Sequence, residues 1–278
     1  MDCANYDVWA KKHDILRTYI QSGGSLNMRK INASPRAHFI QSKSILGIFV
    51  ILTATLLNSA TFAKDNMNYK LVKEKREVSD FNQVSVSGKG QLFIKQDKRP
   101  SLQIEAEANV LPKIKSEVND QQLNLGSIDP SLAIESPIKY YLTVKDLKKL
   151  NCSGNFEIIT QDAIVADNLE VVLSGSGKAS FKLNKVKIFV LNTSGAYQVS
   201  AEGEALEQTI NTAGSAEYNA KKLKSKKANI HLAGAGSAIV NASDELDIKI
   251  QGSGNVTYYG SPKITQETSG GGDIIPAN

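Results

Sequence analysis

Ile230-His231-Leu232-Ala233-Gly234 and Ile248-Lys249-Ile250-Gln251-Gly252 are two copies of a pattern that returns throughout the second half of the chain. Apolar residues alternate with polar or small ones, and a glycine follows. The marker glycines are Gly154, Gly175, Gly195, Gly214, Gly234, Gly252 and Gly270. They are separated by 21, 20, 19, 20, 18 and 18 residues. A period of about 20 residues with strand-like alternation and no helical segment predicts a β-solenoid.

Two columns of residues are predicted to line the inside of the coils. The residues four places before the glycines are Leu150, Val171, Leu191, Ile210, Ile230, Ile248 and Gln266. Those two places before them are Cys152, Leu173, Thr193, Thr212, Leu232, Ile250 and Thr268. Side chains two residues apart face the same side of a strand, so both columns point inward. A second wall is predicted from Leu147, Leu169, Val186, Leu206, Leu223 and Leu246.

Residues 78–146 alternate in the same way, but turn residues such as Gly88-Lys89-Gly90 and Lys98-Arg99-Pro100 interrupt them. This pattern predicts short strands. Crossovers between parallel strands are right-handed in nearly all proteins. The predicted fold is therefore all-β: a right-handed parallel β-helix with coils over residues 147–275, preceded by a region of short strands.

The start of the chain has the layout of a secretory signal peptide. Residues 45–57, ILGIFVILTATLL, follow a basic stretch and precede small residues that end at Ala63. Thirteen apolar residues are short for a membrane span, which needs about 20, so a single anchoring helix is the less favoured alternative. We expect cleavage after Ala63 and initiation at Met28, which makes residues 1–63 an extension plus signal peptide. No membrane span is expected after cleavage.

Removal of residues 1–63 changes the charge of the chain. Residues 64–278 keep 26 basic and 25 acidic side chains, a net charge of about +1. The whole-chain pI of about 9.0 therefore reflects the export signal and does not favour nucleic-acid binding. The cleaved protein is expected in the periplasm, at the cell surface or in the medium of a bacterium.

The order of segments before the repeats resembles a known family. Those segments are Asp80-Phe81-Asn82-Gln83-Val84-Ser85-Val86, Leu92-Phe93-Ile94-Lys95-Gln96, Leu102-Gln103-Ile104-Glu105-Ala106, Gln122-Leu123-Asn124-Leu125 and Leu142-Thr143-Val144-Lys145-Asp146-Leu147. With the Ser-Gly-Ser-Gly coils that follow, they resemble the auto-transporter adhesin head GIN domain family. The resemblance covers nearly all of residues 64–278, which are expected to form one domain. It implies an exported bacterial protein of β-helical build.

No catalytic, cofactor or metal site is predicted. Glu157 and Glu217 share a column but lie three coils apart, roughly 14 Å, whereas glycosidase carboxylates are about 5 to 9.5 Å apart. His231 has no visible partner for acid–base chemistry, and with Cys152 it cannot complete an ordinary zinc site. The inward position of Cys152 predicts a small hydrophobe. The sequence leaves open a catalytic carboxylate pair among Asp162, Asp167 and Glu170.

A lysine cluster is the strongest local charge feature. It comprises Lys221, Lys222, Lys224, Lys226 and Lys227, which we call the lysine row. One interpretation is a binding patch for anionic glycans or envelope polymers, and the other is a solvated turn between coils. The tyrosines also have two interpretations: their rings stack against sugars, or they pack over turns. The residues concerned are Tyr197, Tyr218, Tyr258 and Tyr259.

Three functions are considered. The leading one, which the family resemblance implies, is a non-catalytic binding and adhesion module of the envelope or surface, with glycans, envelope polymers or surface proteins as its partners. The second is a carbohydrate-active enzyme that acts on envelope polysaccharide. The third is an envelope assembly protein whose open solenoid ends stack into oligomers.

Overall fold

The computed structural model describes residues 70–127 and 134–277. The predicted initiator Met28, the signal peptide and cleavage after Ala63 lie outside these residues. The described chain is all-β, as predicted, with a 3-10 turn at Leu111–Lys113 and no α-helix. Accordingly, no helix within this part of the chain has the length and apolarity to cross a membrane.

Thirteen strands form one mixed sheet. They are β1 (Leu71–Arg76), β2 (Gln83–Gln96), β3 (Ser101–Glu107), β4 (Ile114–Asn119), β5 (Gln122–Ser127), β6 (Ile138–Val144), β7 (Lys149–Thr160), β8 (Asn168–Gly214), β9 (Glu217–Gly234), β10 (Ser237–Gly252), β11 (Asn255–Tyr259), β12 (Lys263–Gly270) and β13 (Ile274–Pro276).

Successive repeats pair in parallel, and their marker glycines lie opposite one another. Gly154 of β7 pairs with Gly175 of β8, and Gly214 of β8 pairs with Gly234 of β9. The register continues from Gly234 to Gly252 in β10. It then passes from β10 to Gly270 of β12. The sequence period thus equals the step from one strand to its parallel neighbour.

Close backbone contact explains the glycine column. At Gly195 the backbone φ is +118°, and a Cβ atom there would lie 2.1 Å from the carbonyl oxygen of Gly175. Gly154, Gly175, Gly214, Gly234, Gly252 and Gly270 share a positive φ. Only glycine adopts this conformation without steric cost. The prediction that these positions require glycine is confirmed.

The two inward columns are buried through Ile250, as predicted, but not in the last repeat. Gln266 and Thr268 of β12 are exposed because β12 pairs only with β10 and no described strand covers its other side. The second wall was predicted correctly except at Leu206. There Ala205 is buried and Leu206 faces solvent, because the chain turns a corner and the two-residue alternation is interrupted.

The N-terminal region differs from the prediction of short strands alone. β2 is 14 residues long and pairs in parallel with β7, with Gly88 opposite Gly154, so it continues the glycine column. The remaining strands of this region are short. β3 pairs antiparallel with β1 and β6, and β4 pairs antiparallel with β5. These segments separate β2 from β7 in sequence, so the spacing of about 20 residues between marker glycines does not extend back to Gly88.

A chain of hydrogen-bonded polar side chains lies in the interior at β8 and β9. The Tyr218 hydroxyl donates to Gln208 Oε1 at 2.9 Å, and Gln208 Nε2 donates to Ser225 Oγ at 2.8 Å. Ser225 Oγ in turn donates to the carbonyl oxygen of Asn241 at 2.7 Å. Burial raises the pKa of the Tyr218 hydroxyl well above its ordinary value. The side chains of Tyr218, Gln208 and Ser225 therefore satisfy one another, as buried polar groups usually do.

Candidate functional site

The lysine row lies on β9 and faces solvent. All five lysines are exposed, while Leu223 and Ser225 between them are buried. This placement follows from the strand, whose alternate residues point to opposite sides, with a break at the corner. The Lys221 Nζ atom lies 4.6 Å from the centre of the Tyr259 ring, a cation–π distance.

Acidic residues of neighbouring repeats flank the lysine row. Glu202 lies opposite Lys222, and Glu204 lies opposite Lys224. On the other side Lys227 Nζ is 2.9 Å from Glu245 Oε2, and this hydrogen bond raises the pKa of the lysine above its ordinary value. The row is therefore not uniformly free to bind an anion. Among its members in the described chain, Lys222, Lys224 and Lys226 have no ion pair or ring contact.

A shallow cavity of about 680 Å³ lies beside Lys224 and Lys226. Leu206, the residue that was predicted to point inward, lies at its mouth. Lys185 and Lys187, which lie two repeats before Lys224 and Lys226, line the same cavity, together with Glu204. Sequence reasoning missed the lysines of the earlier repeat because they are about 40 residues away in sequence, and only the parallel stacking brings them to one surface.

A second cavity of about 380 Å³ runs along the outward face between successive repeats. Asn192, Asn211 and His231 line it, and Asn211 Nδ2 donates to Asn192 Oδ1 at 2.8 Å. His231 is exposed, as its outward position predicts. The amide contact resembles the asparagine ladders that stabilise stacked strands, so it explains part of the stability of this face.

The acidic candidates are spread over several ion pairs and hydrogen bonds. Glu157 Oε2 accepts a 2.6 Å bond from Gln91, and Glu217 Oε2 accepts a 3.3 Å bond from Gln198. Asp167 is 2.8 Å from Lys187, and Glu170 is 3.0 Å from Lys149. Asp162 is exposed. Among residues 70–127 and 134–277, no three His, Cys, Asp or Glu side chains form a group that would hold a metal ion.

Cys152 has the buried environment that its column predicts. The side chain is almost inaccessible, and its sulfur lies 3.9 Å from the Tyr197 hydroxyl. Burial raises the pKa of the Cys152 thiol to about 12. A thiolate is the reactive form of cysteine, so the folded protein holds this side chain as an unreactive thiol at neutral pH.

The tyrosines divide between the core and the surface. Tyr197 and Tyr218 are buried, so the sugar-stacking alternative is wrong for both. Tyr258 and Tyr259 are partly exposed. Sequence reasoning missed a different aromatic pair, Phe93 and Tyr141. Their rings stack 5.1 Å apart on neighbouring strands β2 and β6.

Charged groups surround that aromatic pair. Lys73 Nζ lies 5.2 Å from the centre of the Tyr141 ring and 3.1 Å from Glu105 Oε2. Lys139 Nζ is 2.9 Å from Glu105 Oε1, and its hydrogen bond is the main cause that holds the pKa of Glu105 below its ordinary value. These groups pair with one another, so we interpret the cluster as a cross-strand packing unit.

Comparisons with known proteins agree on the fold. A putative adhesin from Bacteroides fragilis is 23% identical with a TM-score of 0.70, and the match covers 75% of this chain and 97% of that one. A putative lipid binding protein from Parabacteroides distasonis is 21% identical with a TM-score of 0.59, covering 76% and 98%. A putative adhesin from Parabacteroides merdae is 20% identical with a TM-score of 0.59, covering 76% and 98%.

The sequence comparison identifies the family. No curated protein matches the chain significantly. The family profile described as "Putative auto-transporter adhesin, head GIN domain" matches residues 80–262. The match includes β2, the glycine repeats through β11 and the lysine row, so it extends over most of the described strands. The chain belongs to the auto-transporter adhesin head GIN domain family.

Proposed function

We propose that this protein is an exported, non-catalytic binding module of the bacterial cell envelope or surface, built as a right-handed parallel β-helix. The parallel register of successive repeats supports the β-helix, and the general preference for right-handed crossovers supports its hand. Family membership supports the adhesion role and the external location. The ligands are acidic glycans, other anionic envelope polymers or surface proteins.

One observation carries the binding proposal: Lys224 and Lys226 join Lys185 and Lys187, which lie two repeats earlier, around a half-exposed leucine. Long lysine side chains without counter-charges attract anions through solvent, and this attraction weakens as salt screens it. A rigid stack of strands holds these groups in fixed positions, which lowers the entropy that a binding surface loses when its ligand arrives.

The binding proposal is tested with a panel of soluble acidic polysaccharides. We expect binding that weakens with added salt and that is lost in the Lys224→Ala/Lys226→Ala double variant. The matched control is Lys95→Ala/Lys113→Ala, which removes two exposed lysines from the first repeat and the 3-10 turn. Equal binding by both double variants, or salt-independent binding, contradicts the role of the patch. Release of reducing ends from the polysaccharides reassigns the protein to the enzyme class.

Location is tested in native cells. An antibody to residues 64–278 is used on fractionated cells with and without external protease. Exposure at the cell surface supports adhesion. Strictly periplasmic protein contradicts host adhesion and leaves envelope polymers as the ligands. Detection of the protein in the cytoplasmic fraction contradicts export.

Assembly through the open end is the alternative favoured by one observation, the exposure of every residue of β12. A strand edge without a partner is a template for pairing with another chain. Light scattering at high protein concentration tests it, and a monomer under those conditions contradicts it.

A further inference from the structure

Three exposed apolar side chains lie on consecutive segments of the stack. Leu71, Val165, Ile188, Leu206, Ile264 and Ile275 are the large apolar side chains exposed in the described part of the chain. Half of them, Val165 (50% exposed), Ile188 (39%) and Leu206 (51%), belong to the repeats around β8. Isolated apolar residues on a surface are ordinary, whereas a group at one place marks an interaction site.

Backbone contacts place the segments that carry these three residues next to one another. Ile164, next to Val165, forms a parallel bridge with Leu183. The Ile188 amide donates to the carbonyl oxygen of Asp167 at 2.9 Å. A Cβ atom on Gly203 would lie 1.9 Å from the Leu183 carbonyl oxygen, so the segment that carries Leu206 stacks directly on the segment that carries Ile188.

The charges at this corner are mostly basic. Lys185, Lys187, Lys224 and Lys226 line the cavity with Leu206, and Glu204 is its one acidic lining residue. More acids lie nearby, among them Asp244, which follows the lining residue Ser243, and Glu245, which is in an ion pair with Lys227. Asp167 is in an ion pair with Lys187. Glu207 accepts a hydrogen bond from Asn229 and lies opposite Lys227. Among the residues that line the cavity, three lysines, Lys185, Lys224 and Lys226, are outside ion pairs, against one acid, Glu204.

We propose that this corner, defined by Val165, Ile188, Leu206 and the four lysines, docks the protein on the surface of an anionic lipid bilayer. The apolar side chains enter the boundary between headgroups and acyl chains, where leaving water is favourable. The lysines contact anionic headgroups, and their aliphatic stems cover the adjoining apolar surface. This proposal rests on the proposed function, because it names a partner for the surface that contains Lys224 and Lys226.

Co-sedimentation with phosphatidylcholine vesicles, with and without phosphatidylglycerol, tests the docking. We expect the protein to bind the vesicles that contain phosphatidylglycerol and not those of phosphatidylcholine alone. Leu206→Ser lowers the affinity about fivefold, because half of a leucine side chain no longer leaves water. Lys224→Ala/Lys226→Ala lowers it roughly twentyfold through the loss of two charges.

The matched control for the leucine is Ile264→Ser, an exposed apolar residue at the open end of the stack. Circular dichroism and thermal unfolding verify that each variant is folded. Equal binding by Leu206→Ser and Ile264→Ser, or equal binding to both kinds of vesicle, overturns the proposal. Binding of soluble acidic polysaccharide without binding of vesicles overturns it as well, but leaves the proposed function intact. If the unmodified protein binds neither the vesicles nor the soluble acidic polysaccharide, both the docking proposal and the proposed function are overturned.

Discussion

The interior repeats and the last repeat have the same pattern but opposite surroundings. In β10, Ile248 and Ile250 point inward and are completely buried. Gln266 and Thr268 occupy the same columns in β12, and every residue of that strand is exposed. The comparison shows that a repeat does not bury its own inward face. Burial is provided by the next repeat, so the end of the stack carries polar residues where the interior carries isoleucine.

A substitution in the glycine column is expected to have the largest effect on stability. Gly195→Ala places a methyl group against the Gly175 carbonyl oxygen in a backbone conformation that alanine adopts only with strain. We expect a loss of at least about 3 kcal/mol in the free energy of unfolding. Urea denaturation measures it.

The control is Gly271→Ala, because a Cβ atom there has no neighbour within 4 Å and φ is not in the left-handed region. We expect a change within about 0.5 kcal/mol, or a small gain from a less flexible unfolded chain. Similar losses of stability in the two variants would mean that any glycine replacement is costly. They would contradict the explanation that the close contact between stacked strands makes the glycine column intolerant of a side chain.

Leu246 and Ile264 test the comparison within one register pair. They lie opposite each other in β10 and β12, but Leu246 is 1% exposed and Ile264 is 36% exposed. Leu246→Ala leaves a cavity, so we expect a loss of about 3 kcal/mol. Ile264→Ala is expected to cost less than about 1 kcal/mol, since that side chain already contacts water. Equal midpoints of urea denaturation for the two variants would show that another surface covers the last repeat.

Tyr218→Phe tests whether the interior also depends on its polar chain. The variant keeps the ring but leaves Gln208 Oε1 buried without its donor. We expect a loss of about 1 to 2 kcal/mol, the cost of an unpaired buried acceptor. Tyr258→Phe is the control, because that tyrosine is partly exposed near the open end. Thermal unfolding of the two variants compares them, and an unchanged Tyr218→Phe protein would mean that Gln208 finds another donor.

The sequence predicts those features that recur in every repeat. The spacing of the glycines predicts the parallel register, and the columns before them predict burial through Ile250, because a period fixes which residues become neighbours. Features that occur once are not predicted. The outward orientation of Leu206 depends on a corner of the chain, which the two-residue alternation does not reveal. The pairing of β2 with β7 is not evident from the sequence, because antiparallel strands are inserted between them. The surface around Leu206 combines residues from several successive repeats, so no local segment contains it.

Thr212 offers the smallest effect and the most direct comparison between interior and end. Its hydroxyl is buried and has no hydrogen-bond partner, whereas Thr268 in the same column is exposed. A buried hydroxyl without a partner has lost its hydrogen bonds to water, so Thr212→Val is expected to raise the free energy of unfolding by about 1 kcal/mol. Thr268→Val is expected to change it little, because water satisfies that hydroxyl in both the folded and the unfolded chain. Urea denaturation of both variants measures the difference. A destabilised Thr212→Val protein would mean that a buried water molecule forms a hydrogen bond with the hydroxyl. The interior would then contain more water than its columns of aliphatic side chains imply.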